Sequence, residues 1–364
     1  MVADEIEMVM ETAGELFHAA REHTGGDLAA QSAAGWELLA KQGMTHVSVP
    51  HPGGAGESLR YVGALLTAAG RAAFSVPLID THVGATLLAA ADFPGADLAA
   101  TTDAAYAVGL DGRLLCPAGP QPSTLTVVHP ELAGTVVTAL VDVDVARIAA
   151  WRWNDLELDV RRNIAGEPIG LLDLETLPLP SWSGEVPLQV ARRAARVDSL
   201  GRSLMIAGAA ERALEQTLRY VGERRQFGRA LAGFQSVQHA IAQMAALVTA
   251  ASVSADAALA ALEAGVDDVA SRSESESDLV AVLSCRIQCS RTAAFVSRMA
   301  HQLHGAIGFT EEHPLRLATT RLTAWRAHGP SHAQVVGELG RRAFAAAELW
   351  PFLTGTDLQR SGQS

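Results

Sequence analysis

The chain is poor in lysine and in aromatic residues. Lys41 is the only lysine among 28 basic residues, so almost all of the positive charge is carried by guanidinium groups. Aromatic residues make up 5% of the 364 residues and hydrophobic residues 49%, so the core must consist mainly of Ala, Leu and Val. Such small aliphatic side chains favour closely packed helices.

Cysteine is also scarce. Cys116, Cys285 and Cys289 form an odd set, which does not indicate a disulfide framework. The first residues lack the basic segment and apolar run of a secretory signal peptide, so we expect a cytoplasmic protein with reduced thiols. Cys285 and Cys289 lie one helical turn apart, but no neighbouring Cys or His pair completes the four ligands of a structural zinc site. We therefore predict no metal.

Acidic residues outnumber basic ones by 40 to 28, which gives a net charge of −12. This charge repels a phosphate backbone, and we expect no nucleic-acid partner. Long apolar runs are absent as well, because charged residues and a histidine interrupt the most apolar region at Arg71, Asp80, His82 and Asp92. No uninterrupted stretch reaches the roughly 18 residues that a membrane span needs, so we predict a soluble protein without a span.

Hydrophobic periodicity predicts a mainly α-helical chain with a small β domain. Apolar residues recur every three or four positions in residues 1–99 and 185–364, which is typical of helices. Residues 100–184 contain β-branched segments between turn signals, and the predicted strands are Thr124–Val128, Thr135–Val141 and Asp155–Val160. The long helices predicted for the last domain are Leu188–Arg224, Gln235–Ala264, Leu279–Leu303 and Ser331–Leu349.

Two breaks in the last domain carry residues that can bind an anion. The first, Glu223–Gln235, places Arg224, Arg225 and Arg229 beside glycines, glutamines and phenylalanines. A guanidinium can bind phosphate oxygens through two hydrogen bonds, and a glutamine adds directional ones. The same arginines could instead complement the dipole at the end of a helix, so both interpretations stand.

The second break, His301–Pro314, is rich in small residues. Gly305, Ala306 and Gly308 remove bulk from a turn that follows an apolar helix. Backbone amides in such a turn can approach a ligand closely. An αL helix cap explains Gly305 equally well.

These segments resemble motifs of the flavin-dependent acyl-CoA dehydrogenases. RRQFGRALAGFQSVQHAIAQM (Arg224–Met244) is similar to the family's R-x-Q-F-G…F-Q…H-x-x-A-x-M run, and QLHGAIGFTEEHP (Gln302–Pro314) to its Q-x-x-G-G-x-G-F…E-x-P loop. The resemblance implies the acyl-CoA dehydrogenase fold, with an N-terminal helical domain, a middle β-barrel-like domain and a C-terminal four-helix bundle. A further match, to W-x-x-L-x-x-x-G…V-P-x-x-x-G-G-x-G, is formed by Trp36, Leu39, Gly43 and Val49–Gly56.

The resemblance implies an FAD cofactor and an acyl-CoA substrate, with electron-transfer flavoprotein as the electron acceptor. In the family, the first motif contacts the adenine and diphosphate half of a flavin that a neighbouring protomer mainly holds. The residues in these positions are Arg224, Gln226, Phe227 and Gln235. The glycine loop packs against the same diphosphate, and its residues here are Gln302, Leu303, His304, Gly305 and Ala306, the last in place of the family's second glycine.

The family's catalytic carboxylate is missing from its usual place. The glutamate that removes the α proton stands in an E-G-T motif, and the matching stretch here has His328 instead of glutamate and Pro330 instead of threonine. Some members carry the glutamate on the first bundle helix, a position that falls on Asp198. The two candidate bases are therefore His328 and Asp198, unless Asp198 only caps or solvates the start of its helix.

The middle domain lacks the motifs that hold the flavin ring in the family. The T-E-P-x-x-G-S-D run and the W-I-x-x-G segment have no counterpart between Ala100 and Leu174, where Thr101–Gly119 stands, and the W-R-W around Trp151 does not match. The chain therefore resembles one subunit of the α2β2 members that act on CoA thioesters of sterol side chains. One subunit there supplies the flavin cradle and the base, and the other reaches across with its arginine and glycine loop.

Three alternatives remain open. The chain could form a self-sufficient homotetramer that uses Asp198 or His328. It could also be a non-catalytic structural or interaction protein on the same scaffold, or a monooxygenase of acyl-CoA dehydrogenase type. Flavin retained by the isolated chain would favour the first alternative, and oxygen-dependent product formation the third.

Overall fold

The computed structural model describes residues 2–25, 27–49, 56, 58–94, 105–264, 276–310, 313–346, 349 and 352. Most of the Val49–Gly56 motif therefore lies outside the described residues, as do residues 311 and 312 of the glycine loop. The first four residues of Thr101–Gly119 also lie outside them.

The N-terminal part consists of helices, namely α1 (Val2–Thr24), α2 (Leu28–Lys41), α3 (Leu59–Arg71) and α4 (Leu78–Ala90). Asp27 and Ser58 begin α2 and α3, because their side chains accept hydrogen bonds from backbone N–H groups of the first turn. Phe17 of α1 stacks on Phe74 with the ring centroids 4.7 Å apart. Gly35 of α2 leaves room for the Phe74 ring, so these helices pack on one aromatic pair.

The middle part is built from β1 (Ala105–Leu110), β2 (Thr124–Val128), β3 (Ala133–Asp142), β4 (Val145–Arg152), β5 (Asp159–Arg162), β6 (Pro168–Asp173) and β7 (Trp182–Pro187). These strands form two sheets, with the orders β1-β3-β4-β7 and β2-β6-β5. The β1–β3 pair is parallel and the other pairs are antiparallel. The predicted strand Asp155–Val160 is mostly wrong, because Trp153–Asp155 form a 3-10 turn and β5 begins only at Asp159.

The C-terminal part begins with α5 (Leu188–Glu223), a helix of 36 residues. A short hairpin follows, with β8 (Arg225–Gln226) and β9 (Arg229–Ala230), and then α6 (Gln235–Ala264), α7 (Glu276–His304), α8 (Leu315–Arg326) and α9 (His332–Ala345). Helices α5, α6 and α7 pack against one another, and α8 lies against α5 and α7. The predicted long helices are present, but α8 was not predicted, because threonines and arginines interrupt its apolar pattern.

Two helical segments are long and apolar enough to cross a membrane by length and composition alone, Gln235–Ala264 and Glu276–Phe309. The criterion of an uninterrupted apolar run did not detect them, because isolated polar residues break the run without lowering the mean hydropathy much. Both segments pack against α5 in the bundle. Among the described residues, 61% of the apolar window in Glu276–Phe309 is buried and 28% of that in Gln235–Ala264. Their composition is therefore weak evidence for a span.

Helices α3 and α5 cross at very short range. A Cβ atom on Gly70 would lie 2.3 Å from the Met205 carbonyl oxygen, and one on Gly208 would lie 2.4 Å from the Thr67 carbonyl oxygen. Only glycine permits such an approach of two backbones. The crossing holds the N-terminal helices against the centre of α5, where residues 199–210 are all buried.

We expect Gly208→Ala to lower the free energy of unfolding by about 1–3 kcal/mol, because the new methyl group overlaps the Thr67 carbonyl group. The control is Gly222→Ala on the same helix, where no atom lies within 4 Å of the added Cβ. This control should be neutral or stabilising by up to about 1 kcal/mol. Urea unfolding followed by circular dichroism measures both, and equal effects would contradict the close crossing.

Candidate functional site

The predicted site residues fall into two groups at different places on the bundle. Asp198 and His328 line a cavity beside the middle sheets. The predicted flavin contacts lie where α5 and α7 end and α6 begins. A helix rises 1.5 Å per residue, so Asp198 and Arg224 are about 39 Å apart along α5. The structure brings the members of each group together and keeps the two groups apart.

The arginine motif forms a tight hairpin at the end of α5. Phe227 and Gly228 have φ angles of 52° and 79°, which is the geometry of a type I′ turn between β8 and β9. Phe227 is 89% exposed, and a phenylalanine in the left-handed region is strained. A strained aromatic residue at an exposed tip indicates a surface that contacts another molecule.

Several polar side chains of the hairpin have no partner among the described residues. The Arg224 backbone N–H donates to the Tyr220 carbonyl oxygen (2.8 Å), but its guanidinium forms no hydrogen bond or ion pair there. The side-chain amides of Gln226 and Gln235 are equally exposed and unpaired. Arg229 differs, because its Cζ lies 4.0 Å from the centroid of the Phe234 ring. The guanidinium groups of Arg224 and Arg225 and two amides are thus available to a ligand.

The glycine turn lies beside this hairpin. Helix α7 ends at His304, whose buried ring stacks on Tyr220 of α5 with the centroids 4.3 Å apart. The Tyr220 hydroxyl donates to the His304 carbonyl oxygen (3.2 Å). Gly305 follows with a φ of 65°, as the helix-cap interpretation predicts. The other predicted contacts of this turn are the exposed Gln302 and Ala306 and the half-buried Leu303.

A cavity of about 610 Å³ lies between α4, α5, the two middle sheets and the segment after α8. Its buried lining includes charged residues from three helices, Asp80 of α4, Arg202 of α5 and Arg286 of α7. Apolar residues line much of its wall, among them Val76, Ile79, Leu110, Leu115, Val128 and Met205, and polar residues such as Asn163 and Gln334 line the remainder. The cavity therefore combines a charged floor with apolar walls.

Arg202 is the centre of the charged floor. Its Nη2 donates to Asp80 Oδ1 (2.9 Å) and its Nε donates to Asp198 Oδ1 (3.1 Å). Burial lowers the pKa of Arg202, but the two carboxylates outweigh it and raise that pKa above its ordinary value. Burial raises the pKa of Asp80, although Arg202 opposes this. The helix-cap interpretation of Asp198 is wrong, because α5 begins at Leu188.

His328 lines the same cavity. Arg286 holds its backbone, because the Arg286 guanidinium donates to the carbonyl oxygens of Arg326 (3.1 Å) and His328 (2.6 Å). Burial, reinforced by Arg202 and Arg286, lowers the pKa of His328 well below its ordinary value. The ring is therefore neutral at pH 7 and a weak proton acceptor. Both candidate bases share one cavity, but His328 has low basicity and Asp198 is already paired.

Sequence reasoning did not single out Arg202, Arg286 or Asp80 as site residues. Asp80 lies 122 residues from Arg202 in the chain, so only the packing of α4 on α5 brings them together. A signal did exist, because a carboxylate inside a strongly apolar helix is rarely buried without a partner. Asp80 was instead interpreted only as an interruption of the apolar region.

The turn after β1 is closed against the segment after α8. Asp111 begins the 3-10 turn Gly112–Leu114 and accepts hydrogen bonds from Arg113 on both carboxylate oxygens. A Cβ atom on Gly112 would lie 3.6 Å from Pro330 Cγ. Asp111 and Arg113 also bind the backbone of Val141 in β3, so the polar groups of this turn are used by the turn and by β3. Pro330 lies beside the turn.

The cysteines are buried and unbridged. The Sγ atoms of Cys285 and Cys289 lie 3.9 Å apart. The hydrogen bond with Cys285 and burial raise the pKa of Cys289 well above its ordinary value, which makes it an unreactive thiol. Within the described ranges, no group of three or more His, Cys, Asp or Glu residues could hold a metal ion.

Comparison with protein families gives one match, to the acyl-CoA dehydrogenase C-terminal domain, over residues 188–330. Among curated proteins, the acryloyl-CoA reductase (NADH) of Anaerotignum propionicum is 34% identical over 116 residues, which are 32% of this chain and 27% of the reductase. The acyl-CoA dehydrogenase IpdE2 of Mycobacterium tuberculosis is 27% identical over 299 residues, which are 81% of this chain and 80% of IpdE2. The chain thus spans about a quarter of one relative and four fifths of the other.

Solved structures share the whole architecture. The Tcur3481-Tcur3483 steroid ACAD variant has a TM-score of 0.77 at 19% identity, and the match covers 95% of this chain and 100% of the chain in that structure. The ChsE4-ChsE5 complex from Mycobacterium tuberculosis has a TM-score of 0.75 at 19% identity, with coverages of 93% and 98%. A glutaryl-CoA dehydrogenase from Mycobacterium smegmatis in complex with FADH2 has a TM-score of 0.74 at 15% identity, with coverages of 94% and 95%.

Residues 188–330 match the acyl-CoA dehydrogenase C-terminal domain, which confirms the resemblance that the motifs predicted. The predicted fold class, mainly α with a small middle β domain and a C-terminal helical bundle, is also confirmed. At the identities of the solved structures, their likeness to this chain concerns the fold alone.

We expect Arg202→Met to lower the free energy of unfolding by about 3–5 kcal/mol, because Asp80 would stay buried without its partner. The double variant Arg202→Met with Asp80→Asn should recover part of this loss. The control is Arg212→Met on the half-exposed part of the same helix, which should change the free energy by less than about 0.5 kcal/mol. Urea unfolding at pH 7 measures all three, and a double variant no more stable than Arg202→Met would contradict the role of Asp80.

We expect the free energy of unfolding to fall as the pH drops from 7 to 5. Folded His328 stays neutral, whereas the unfolded residue binds a proton below about pH 6.5. Unfolding then takes up a proton, so this residue lowers the stability by up to about 1.4 kcal/mol per pH unit. His82, with a pKa lowered to about 4 by burial, adds to the slope in every variant.

The measurement is urea unfolding at several pH values. His328→Gln should show a shallower dependence on pH than the unmodified chain. His332→Gln, at an exposed position on α9, should keep the original slope. Three identical slopes would show that His328 is not held neutral in the fold.

Proposed function

We propose that this chain is a subunit of an FAD-dependent acyl-CoA dehydrogenase and contributes its arginine hairpin and glycine turn to a flavin held mainly by a partner subunit. The reaction is the formation of a 2,3-double bond in an acyl-CoA thioester. The observation that carries the proposal is the separation of the two groups of site residues. The side chains of Arg224, Gln226 and Gln235 are exposed and have no partner among the described residues. The hairpin lies about 39 Å along α5 from the cavity that adjoins the chain's own middle sheets.

The exposed end of the bundle fits the adenine and diphosphate half of a flavin. Arg224 offers a guanidinium that can bind two phosphate oxygens, and Gln226 and Gln235 offer amide hydrogen bonds. Gly305 keeps bulk out of the neighbouring turn, and Phe227 presents an exposed ring. All of these groups are accessible from outside the chain, which supports binding to a cofactor seated on another subunit.

The chain's own cavity does not fit a flavin ring. In the family the ring is held by the T-E-P run and faces the threonine of the E-G-T motif. Here the turn after β1 is in contact with Pro330, and its carboxylate is bound to Arg113. The charged floor around Arg202 lies in the same cavity as this turn. We therefore assign no catalytic step to a flavin inside this chain.

Within the assembly, this chain binds and orients the cofactor. When bound, the flavin accepts the hydride that leaves the β carbon. Arg224 would neutralise charge on the diphosphate and so fix the position of the partner's cofactor. The proton from the α carbon would go to a carboxylate of the partner subunit.

The similar structures support a heteromeric assembly and a steroid-derived substrate. The ChsE4-ChsE5 structure is a complex of two different chains, and the Tcur3481-Tcur3483 structure is a steroid ACAD. We propose an α2β2 assembly with a homologous, base-carrying acyl-CoA dehydrogenase subunit. Its substrate would be a fatty or sterol side-chain acyl-CoA, and its electron acceptor an electron-transfer flavoprotein.

A self-sufficient homotetramer is the second candidate. The observation in its favour is that Asp198 and His328 line one cavity with Arg202. The ion pair of Asp198 and the lowered pKa of His328 count against either residue as an efficient base.

The test is the flavin content of the purified chain. We expect almost no flavin absorbance when the chain is produced alone and about one FAD per pair of unlike chains when it is produced with a base-carrying partner. In that complex Arg224→Ala should weaken FAD binding at least about tenfold, because a charged hydrogen bond to phosphate is lost. The dissociation constant is measured by fluorescence titration after the cofactor has been removed.

The matched control is Arg212→Ala, another arginine of α5 that is far from the hairpin and pairs only with Glu215. It should leave FAD binding unchanged. A full complement of FAD in the isolated chain would overturn the shared site and favour the homotetramer. Equal FAD affinities of the two variants would remove Arg224 from the cofactor site.

A further inference from the structure

The cavity beside the middle sheets contains a buried hydroxyl group without a partner. Ser199 is 6% exposed and lines the cavity, and its Oγ forms no hydrogen bond within the described residues. A buried polar group without a partner destabilises the fold and needs an explanation. The simplest explanation is a small molecule in the cavity that the chain itself does not provide.

Ser199 lies on one helical turn with two other polar groups that have unused hydrogen-bonding capacity. Asp198 accepts one hydrogen bond, from Arg202 Nε (3.1 Å), so its Oδ2 is available. Arg202 uses Nε and Nη2 for Asp198 and Asp80, and its Nη1 has no hydrogen bond to the described residues. Residues three and four positions apart share one face of a helix, so Arg202 lies on the same face as both Asp198 and Ser199.

The charge of this floor selects a neutral ligand group. Asp80 and Asp198 balance Arg202 and Arg286, and His328 is uncharged. The other two carboxylates of the lining, Asp111 and Glu167, are paired with Arg113 and Arg321. A carboxylate would meet the two aspartates, and an ammonium group would meet the two arginines. Burying either charge without its own partner is strongly unfavourable.

The walls select an apolar body for the ligand. Val76, Ile79, Leu115, Val128 and Met205 line the cavity above the floor, and its volume of about 610 Å³ lies in the range of small-molecule sites. A purely apolar ligand would contact these walls but would leave Ser199 Oγ and Asp198 Oδ2 without hydrogen-bond partners. The chemistry therefore requires one polar group on an apolar skeleton.

We propose that this cavity is a ligand site that recognises an alcohol hydroxyl on an apolar body, through Asp198, Ser199 and Arg202. A hydroxyl donates one hydrogen bond and accepts two through a single atom. It can donate to Asp198 Oδ2 and accept from Ser199 Oγ and Arg202 Nη1 within one helical turn. The site does not depend on the flavin shared at the other end of the bundle.

The test compares two neutral probes, trans-decahydro-2-naphthol and its methyl ether, on the flavin-free full chain. The two share one skeleton, but the ether cannot donate a hydrogen bond. We expect isothermal titration calorimetry to show that the alcohol binds at least about tenfold more tightly, because the ether leaves Asp198 Oδ2 without a donor. Equal affinities, or no binding of either probe, would overturn the proposal. Water would then be the partner of these polar groups.

The affinity of the alcohol is then measured in two variants. Ser199→Ala should weaken alcohol binding about three- to tenfold, because the ligand oxygen loses one hydrogen-bond donor. It should keep the melting temperature, because the hydroxyl that it removes has no partner within the described residues. The control Thr126→Val removes a hydroxyl from the exposed rim of the same cavity and should keep the affinity. An alcohol affinity unchanged in Ser199→Ala would remove Ser199 from the site. Should that variant not fold, Asp198→Asn should reduce the alcohol-to-ether affinity ratio instead.

The experiment separates this proposal from the shared flavin site. The probes are titrated without FAD, and the flavin content is measured without the probes. Loss of FAD binding in Arg224→Ala leaves the alcohol site untouched. Weaker alcohol binding in Ser199→Ala leaves the FAD stoichiometry untouched.

Discussion

The length and burial of α5 constrain every other part of this protein. The helix runs for 36 residues, and its middle is held against α3 where glycines let the backbones touch. Its first half forms the floor of the cavity, and its end carries the arginine hairpin. Because a helix is a rigid rod of fixed rise, the two sites cannot approach each other. This geometry keeps the cavity separate from the surface that we propose contacts the cofactor of a partner subunit.

Electrostatic balance around Arg202 decides what the cavity can do. A guanidinium buried between Asp80 and Asp198 joins α4 to α5, and buried pairs of this kind are costly to break rather than strongly stabilising in themselves. The same pairing reduces the availability of Asp198 as a base, and burial, reinforced by Arg202 and Arg286, lowers the pKa of His328 and keeps it neutral. Asp198 and His328 are thus part of a lining that carries little net charge.

The exposed end of the bundle has the opposite character. Tyr220 joins the ends of α5 and α7 through a ring stack and a hydrogen bond to the His304 carbonyl oxygen, and the polar side chains around this joint face outward. An exposed cation and amides on a well-packed support are suited to binding phosphate, because little ordering is needed when the ligand arrives. Burial and exposure therefore divide the chain between a closed cavity and an open contact surface.

The sequence by itself determined the helical and β segments, the resemblance to acyl-CoA dehydrogenases and the two motifs at the bundle end, because periodicity, glycine and arginine patterns are local properties of the chain. It failed for α8, whose apolar pattern is weak, and for the strand near Asp159. Only the tertiary structure decided that Asp198 is paired and that Asp80, Ser199 and Arg202 form one floor. Side chains 122 residues apart become partners through helix packing, and no local pattern encodes that distance.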